Sequence, residues 1–300
     1  MIWREVVDSA TARLVVAGVE RADVEARWIV EQATGLDAAE LVADADRPAT
    51  GRGIVRVAEL VDRRVAGEPL QYVLGSWPFR EFDLLVDPRV LIPRPETEVV
   101  AEVAIDEVVR LGARRGAAEP WAAARTEFAV ADLGTGTGAL ALALAAALPD
   151  AEVWATDISR DALAVARANL AGSGLPATRI RLAEGSWFAA LPETLRGTLR
   201  LVVSNPPYIA EDEVPSLPEA VADWEPRGAL VSGPTGLEAI EAIVAAAPGW
   251  LRPDGVLVCE LAPHQSDDAC GIARDAGFAE VEVQRDLAGR DRMIVARRNG

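Results

Sequence analysis

From residue 128 onward the chain alternates short apolar runs of strand character with longer Ala- and Leu-rich runs of helical period, and nothing else in it constrains the fold as tightly. Strands are expected near 128–133, 152–156, 179–183, 199–204, 255–261, 280–284 and 292–297. Helices are expected near 139–148, 159–171, 235–247 and 263–276. A parallel strand pair needs a crossover, and helical crossovers cover both faces of a mostly parallel sheet. The last strand follows its neighbour too closely for such a crossover, so it should run antiparallel. The expected class is α/β, with seven strands in one sheet.

Before residue 128 the pattern differs. Val6, Val7, Ala10 and Leu14, then Val24, Trp28 and Ile29, then Val57, Leu60, Val61 and Val65 recur at helical spacing, with Gly18, Gly35, Gly51 and Gly67 as breaks. Residues 1–75 therefore read as a small helical domain. Phe79, Phe82, Leu84 and Val86, followed by Val90, Leu91 and Ile92 beyond Asp87-Pro88-Arg89, suggest a β-hairpin linker over 76–93. The third region, 94–300, begins with a helix running to about Leu111, after which Gly112, Gly116 and Pro120 read as a loop.

Charge excludes some functions. The formal net charge is −17, and all 30 basic residues are Arg. Residues 1–75 hold 9 Arg against 13 acids, a net of −4, which makes a poor clamp for phosphates. Direct nucleic-acid binding is not expected. No run approaches the roughly 20 apolar residues of a membrane helix, and the first residues lack the layout of a signal peptide. The expected location is the cytoplasm. Cys259 and Cys270 lack metal-like spacing and read as reduced core thiols. His264 is the single histidine, read as a surface residue near a helix start, so no metal site is expected.

Two motifs carry chemistry. Asp132-Leu133-Gly134-Thr135-Gly136-Thr137-Gly138 joins a strand to a helix, where glycines let the backbone turn and approach a ligand. Asp157 ends the next strand, 19 residues after Gly138, where a carboxylate can accept from two ribose hydroxyls. The second motif, Asn205-Pro206-Pro207-Tyr208, follows the apolar run 199–204. Proline lacks an N–H and cannot continue a ladder, which leaves the Pro206 carbonyl and the Asn205 side-chain oxygen as two acceptors beside an aromatic ring. Such a group can grip a planar NH2 against Tyr208. Gly134-x-Gly136-x-x-Ala139 also fits a loose dinucleotide fingerprint, but its pairing with an amino-gripping motif favours S-adenosylmethionine and methyl transfer to nitrogen.

The chain resembles the amino-group methyltransferases of the seven-stranded, Rossmann-like type, and within them the peptide chain release factor N5-glutamine methyltransferases. The resemblance spans nearly the whole length. It rests on Gly67-Glu68-Pro69-Leu70-Gln71-Tyr72, the hairpin with Phe79 and Phe82, Leu91-Ile92-Pro93-Arg94-Pro95-Glu96-Thr97-Glu98, Asp132 to Gly138, and Val203 to Ile209. It implies S-adenosyl-L-methionine as methyl donor, S-adenosyl-L-homocysteine as product, and the glutamine of a Gly-Gly-Gln loop in release factors as acceptor. It also implies that the helical domain seats the protein substrate.

Carried over by position, Gly134, Thr135, Gly136, Thr137 and Gly138 would wrap the methionine and ribose, Asp157 the ribose, and Trp187 the adenine, with Asn205 adjoining the cofactor. Asn205, Pro206, Pro207 and Tyr208 would hold the substrate glutamine, with Asn205, Pro206 and Tyr208 catalytic. Many relatives carry an acid where this chain has Ser186, so adenine recognition would rest on backbone groups, Trp187 or Glu184. Arg94 reads as an exposed or paired residue at a junction. An adenine-N6 methyltransferase acting on DNA or RNA is the alternative, since adenine offers the same planar NH2. A cofactor-binding interaction module without chemistry is a further one.

Overall fold

The computed structural model describes residues 1–116 and 128–300. Those residues divide into two compact units, Met1–Trp77 with Pro218–Trp224, and Pro78–Leu217 with Glu225–Gly300.

In the first unit, α1 (Trp3–Val16), α2 (Ala22–Thr34), α3 (Ala38–Ala43), α4 (Gly51–Val65) and α5 (Leu70–Leu74) surround one apolar core. Leu14, Ile29, Leu60 and Val61, named by their spacing, are buried there together with Val30, whereas Trp28 and Val65 of the same pattern are exposed. Thr50 and Asp37 cap α4 and α3 by accepting from Gly53 and Glu40 N–H groups.

A two-stranded sheet follows, β1 (Ser76–Phe79) and β2 (Phe82–Leu85). The reversal falls at Arg80-Glu81, with Arg80 in the left-handed region at φ 52°, and not at Asp87-Pro88-Arg89 as the sequence suggests. Val90 to Ile92 form no strand. The cause is local: the Asp87 carboxylate accepts from the Arg89 N–H and guanidinium and folds 87–90 into a turn of its own. Asn169 then holds the end of β2, accepting from Leu85 N–H at 2.7 Å and donating to the Leu85 carbonyl at 3.2 Å and the Thr137 carbonyl at 2.9 Å.

Helix α6 (Pro95–Gly116) continues through Gly112 and Gly116, which the sequence marks as loop, while Pro120 lies outside the described residues. A glycine lowers helix stability by roughly 1 kcal/mol, less than is gained by burying Val108 and Leu111 on the same helix. The chain then runs through β3 (Phe128–Leu133), α7 (Ala139–Ala147), β4 (Ala151–Asp157), α8 (Arg160–Gly172), β5 (Ile180–Glu184) and β6 (Leu199–Ser204). Next come β7 (Ile209–Ala210), α9 (Glu219–Ala222), α10 (Arg227–Leu230), β8 (Val231–Gly233), α11 (Glu238–Trp250), β9 (Leu251–Glu260), α12 (Ser266–Asp275), β10 (Glu280–Arg285) and β11 (Asp291–Arg297).

Seven of these strands form one sheet in the order β10-β11-β9-β6-β3-β4-β5. The pairs β9/β6, β6/β3, β3/β4 and β4/β5 are parallel, and β11 is antiparallel to both neighbours. The fold is thus the mixed α/β sheet expected from the alternation. Consecutive residues of each strand serve opposite faces. Val130, Val203, Val258 and Val295 join α6 and α7 in one core, while Ala131, Val202, Leu257 and Ile294 join α11 and α12 in the other.

One ion-pair cluster ties α6 to the last strand. The Arg297 guanidinium donates to both Glu107 carboxylate oxygens at 2.9 and 2.7 Å and also reaches Glu280 and Glu282. Burial opposes ionisation of Glu107, but hydrogen bonds from Arg297 and Arg110 overcome it and hold its carboxyl below the ordinary range. Glu107→Ala should lower stability by about 2 kcal/mol, short of the 3–5 kcal/mol for a fully stranded buried charge, because two acids remain on Arg297. Urea denaturation followed by circular dichroism checks this, and an unchanged midpoint would refute it.

Candidate active site

The site forms where β3 and β6 leave the sheet side by side. Their register places Leu133 opposite Ser204, and the Ser204 hydroxyl donates to the Leu133 carbonyl at 2.6 Å. The glycine turn and the Asn-Pro-Pro-Tyr segment therefore start from neighbouring points. Since β4 lies on the other side of β3, this is also where the strand order reverses, the place at which open α/β sheets bind ligands.

The glycine turn is braced from beneath. Asp132 is fully buried, and one carboxylate oxygen accepts from the Thr135 hydroxyl at 2.6 Å and the Ala141 N–H at 3.1 Å. Burial raises its carboxyl to about 7, against the opposing effect of those bonds. Gly134 and Thr135 N–H groups both donate to the Thr156 carbonyl. Gly134 takes φ 75°, and a Cβ there would stand 3.2 Å from the Trp187 ring, so only glycine lets ring and turn meet. A Cβ on Gly138, φ 84°, would stand 3.3 Å from Leu170.

Asp157, at the end of β4, faces the same turn. One oxygen accepts from Gly136 N–H at 2.9 Å and the other from Ser159 N–H at 2.8 Å. Burial raises its carboxyl above the ordinary range. Each oxygen retains a lone pair for a further donor. The helix-capping role belongs to Ser159, whose hydroxyl accepts from Ala162 N–H.

These groups enclose a cavity of about 420 Å³, within the usual range for small-molecule sites. Gly134, Thr135, Gly136, Thr137, Asp157, Trp187, Asn205 and Pro207 all line it, as does Ser186. Gly138, Pro206 and Tyr208 are not among its lining residues; Gly138 is the N-cap before α7, and Pro206 is buried. Trp187 combines two roles, with φ 47° at the cavity wall and its ring also packed against the apolar core beneath. Glu184 pairs with Arg160 away from the lining. Arg94 pairs with the buried Glu225. His264 is exposed, 3.7 Å from Glu213.

Other lining residues were given no chemical role by the sequence, although Leu91, Pro93 and Thr97 fall within the stretch 91–98 on which the resemblance rests. Val90, Leu91, Pro93 and Thr97 come from the segment after the hairpin, and Pro226, Gly228 and Ala229 from around α10. Thr97 matters most. Asn205 Nδ2 donates to Thr97 Oγ1 at 3.1 Å, and that hydroxyl donates to Glu260 Oε2 at 2.8 Å. Past the prolines, Gln265 is buried and its Nε2 donates to the Tyr208 carbonyl at 2.8 Å and the Gly236 carbonyl at 3.2 Å. A Cβ on Gly236 would fall 2.7 Å from the Tyr208 carbonyl oxygen, so this glycine leaves the space in which the motif ends. Burial raises the Tyr208 phenol to about 12, so its ring is neutral at ordinary pH.

Residues 5–75 match the family model described as PrmC N-terminal domain, and residues 121–220 match that of the methyltransferase small domain. The chain is 38% identical to the release factor glutamine methyltransferase of Geobacter sulfurreducens over 298 residues, covering 99% of this chain and 97% of that one. It is 39% identical to the enzyme of the same name from Moorella thermoacetica over 300 residues, covering 99% of each. A solved methyltransferase from Pyrococcus furiosus shares the fold, with TM-score 0.51 and 14% identity over 81% of this chain and all of that one. Because relatives at this identity extend over essentially the full length, the chain belongs to the release factor glutamine methyltransferase family.

Proposed function

We propose that this protein transfers a methyl group from S-adenosyl-L-methionine to the side-chain amide nitrogen, N5, of the glutamine in the Gly-Gly-Gln loop of peptide chain release factors. One observation carries the reading: Asn205 and Pro207 line the same cavity as the glycine turn and Asp157, so an amino-gripping group and a nucleoside-type site share one space. The full-length relatives supply the substrate class.

The residues present fit the donor. Gly134 to Thr137 offer a wall free of Cβ atoms at its glycines, Asp157 has lone pairs for ribose hydroxyls, and Trp187 offers a ring for adenine beside Ser186. When bound, S-adenosyl-L-methionine supplies a methyl group made electrophilic by its sulfonium. The chain's own part is to hold and polarise the acceptor. An amide nitrogen is a weak nucleophile because its lone pair is delocalised into the carbonyl. Asn205 Oδ1 and the Pro206 carbonyl accept its two N–H bonds, draw density onto nitrogen and stabilise the positive charge that develops there. Tyr208, neutral and held through its carbonyl by Gln265, keeps the amide plane against the wall. Alignment of this kind can lower a barrier by roughly 7 to 11 kcal/mol.

In this reading residues 1–75 dock the release factor, 76–93 connect, and 94–300 carry the methyl transfer in the cytoplasm. Among the described residues no helix is long and apolar enough to cross a membrane.

Mass spectrometry of a purified release factor incubated with the protein and S-adenosyl-L-methionine should find one added methyl on the Gly-Gly-Gln peptide. Methyl on an oligonucleotide instead would favour adenine as acceptor. Asn205→Ala should leave donor binding intact and lower turnover by on the order of 10²- to 10³-fold, as loss of a polarising contact does elsewhere. Retained turnover would remove Asn205 from the mechanism. Asp157→Ala deletes two hydrogen bonds to the ligand, about 1.5 kcal/mol each at the charged-group level, and should weaken donor binding by on the order of 100-fold in calorimetry.

A further inference from the structure

Glu260 ends β9 beneath the Asn205 motif and is fully buried. Its Oε2 accepts from Thr97, while its Oε1 finds no hydrogen-bond partner among the described residues. A buried carboxylate with an unmatched oxygen is costly for stability alone, roughly 1–3 kcal/mol or more for the missing bond. No catalytic contact accounts for it either, since Glu260 does not line the cavity. The charged and titratable groups facing it are Arg292 of β11, Arg94 and Glu96 at the start of α6, Tyr208, and Cys259 beside it. Each of the three charged ones has a partner elsewhere: Arg292 has Asp286, Arg94 has Glu225 and Glu96 has Arg290.

We propose that Glu260, acting through the Thr97 hydroxyl, is the positioning residue that decides which end of the Asn205 side-chain amide is offered to the substrate. The inference rests on the reading that Asn205 Oδ1 accepts from the substrate amide. A threonine hydroxyl has one proton. An ionised Glu260 can only accept, so it takes that proton, and Thr97 then meets Asn205 with lone pairs alone. Asn205 must turn its NH2 to Thr97, as the 3.1 Å bond records, and Oδ1 remains for the substrate. A neutral Glu260 can itself donate to Thr97, which releases the threonine proton towards Asn205. The amide then gains by reversing, and its NH2 opposes the NH2 it should grip. Burial raises the Glu260 carboxyl to about 7, so the two arrangements exchange in the working pH range.

The test measures methylation of a purified release factor by the full chain between about pH 6 and about pH 8.5, a range chosen to bracket the expected ionisation. Wild-type kcat should fall on the acid side with a midpoint near 7. Glu260→Gln should lower kcat by on the order of 100-fold at pH 8, abolish the acid limb and leave KM within about twofold. Thr97→Val should reproduce that loss, and Thr97→Ser should recover most of it. This pair carries the test should Glu260→Gln fail to fold. A second readout needs no turnover. The chain has three asparagines, Asn169, Asn205 and Asn299, so 15N-asparagine labelling yields three side-chain amide signals. The Asn205 pair, assigned by its loss in Asn205→Asp, should shift with pH around 7 in the wild type and stay fixed in Glu260→Gln. Wild-type methylation of the glutamine together with unchanged kcat in Thr97→Val, or a pH-invariant Asn205 signal, overturns the positioning role. No methyl on that glutamine in the wild type overturns the functional reading itself.

Discussion

The register between β3 and β6 is the constraint on which the rest of the site depends. With Leu133 opposite Ser204 and the serine hydroxyl bound to the leucine carbonyl, two unrelated motifs 71 residues apart leave the sheet at the same height. A strand slipped by one residue would invert every side chain between the two cores and move the Asn205 motif away from the glycine turn. Val130, Val202 and Val203, fully buried on opposite faces, make such a slip expensive, so the core that stabilises the sheet also fixes the site.

Above that register, polar contacts convert a sheet edge into a shaped cavity. Asn169 joins β2 to the glycine turn, Asp132 supports the turn, and Thr97 bridges Asn205 to Glu260. Asn169 and Thr97 are buried polar groups whose partners lie far away in sequence, while Asp132 is held by Thr135 and Ala141 close by. Such groups are strong where water is excluded and costly when a partner is missing, which gives the site a defined geometry. Asp132 and Glu260 extend this into electrostatics, because both carboxyls sit near neutrality where an exposed acid would be fully ionised.

Much of this was legible in the sequence. The strands at 128–133 and 199–204 have the expected bounds, since a short apolar run ending in glycine or proline has one reading in a covered parallel sheet. The antiparallel final strand followed from loop length alone. Local turn chemistry misled at the hairpin, where Asp87-Pro88-Arg89 carries the stronger signal but the reversal occurs at Arg80, a non-glycine residue with positive φ. The short pair β7 and β8 was not foreseen, being too brief for a periodic pattern. Thr97, Asn169, Glu260 and Gln265 were not assignable to the site for a different reason. A lone polar residue acquires its role from its partner, and the partners Tyr208, Leu85, Asn205 and Glu260 lie 57 to 163 residues away. Even so, Thr97 stood within the stretch 92–98 that marked the family.

The placement of β11 has a consequence for how the molecule is made. Strand β11 lies between β9 and β10, antiparallel to both, although it follows them in the chain. Until residues 291–297 arrive, β9 must wait with one apolar edge and its hydrogen-bonding groups unpaired, and β10 has no sheet to join. Exposed strand edges recruit other chains, so a chain that lacks β11 presents an edge of β9 open to such pairing. Glu260 ends that same waiting strand. The half of the sheet that carries it closes only once β11 has paired, so a chain short of residue 291 holds both ligand motifs while β9, which carries Glu260, lacks its outer neighbour.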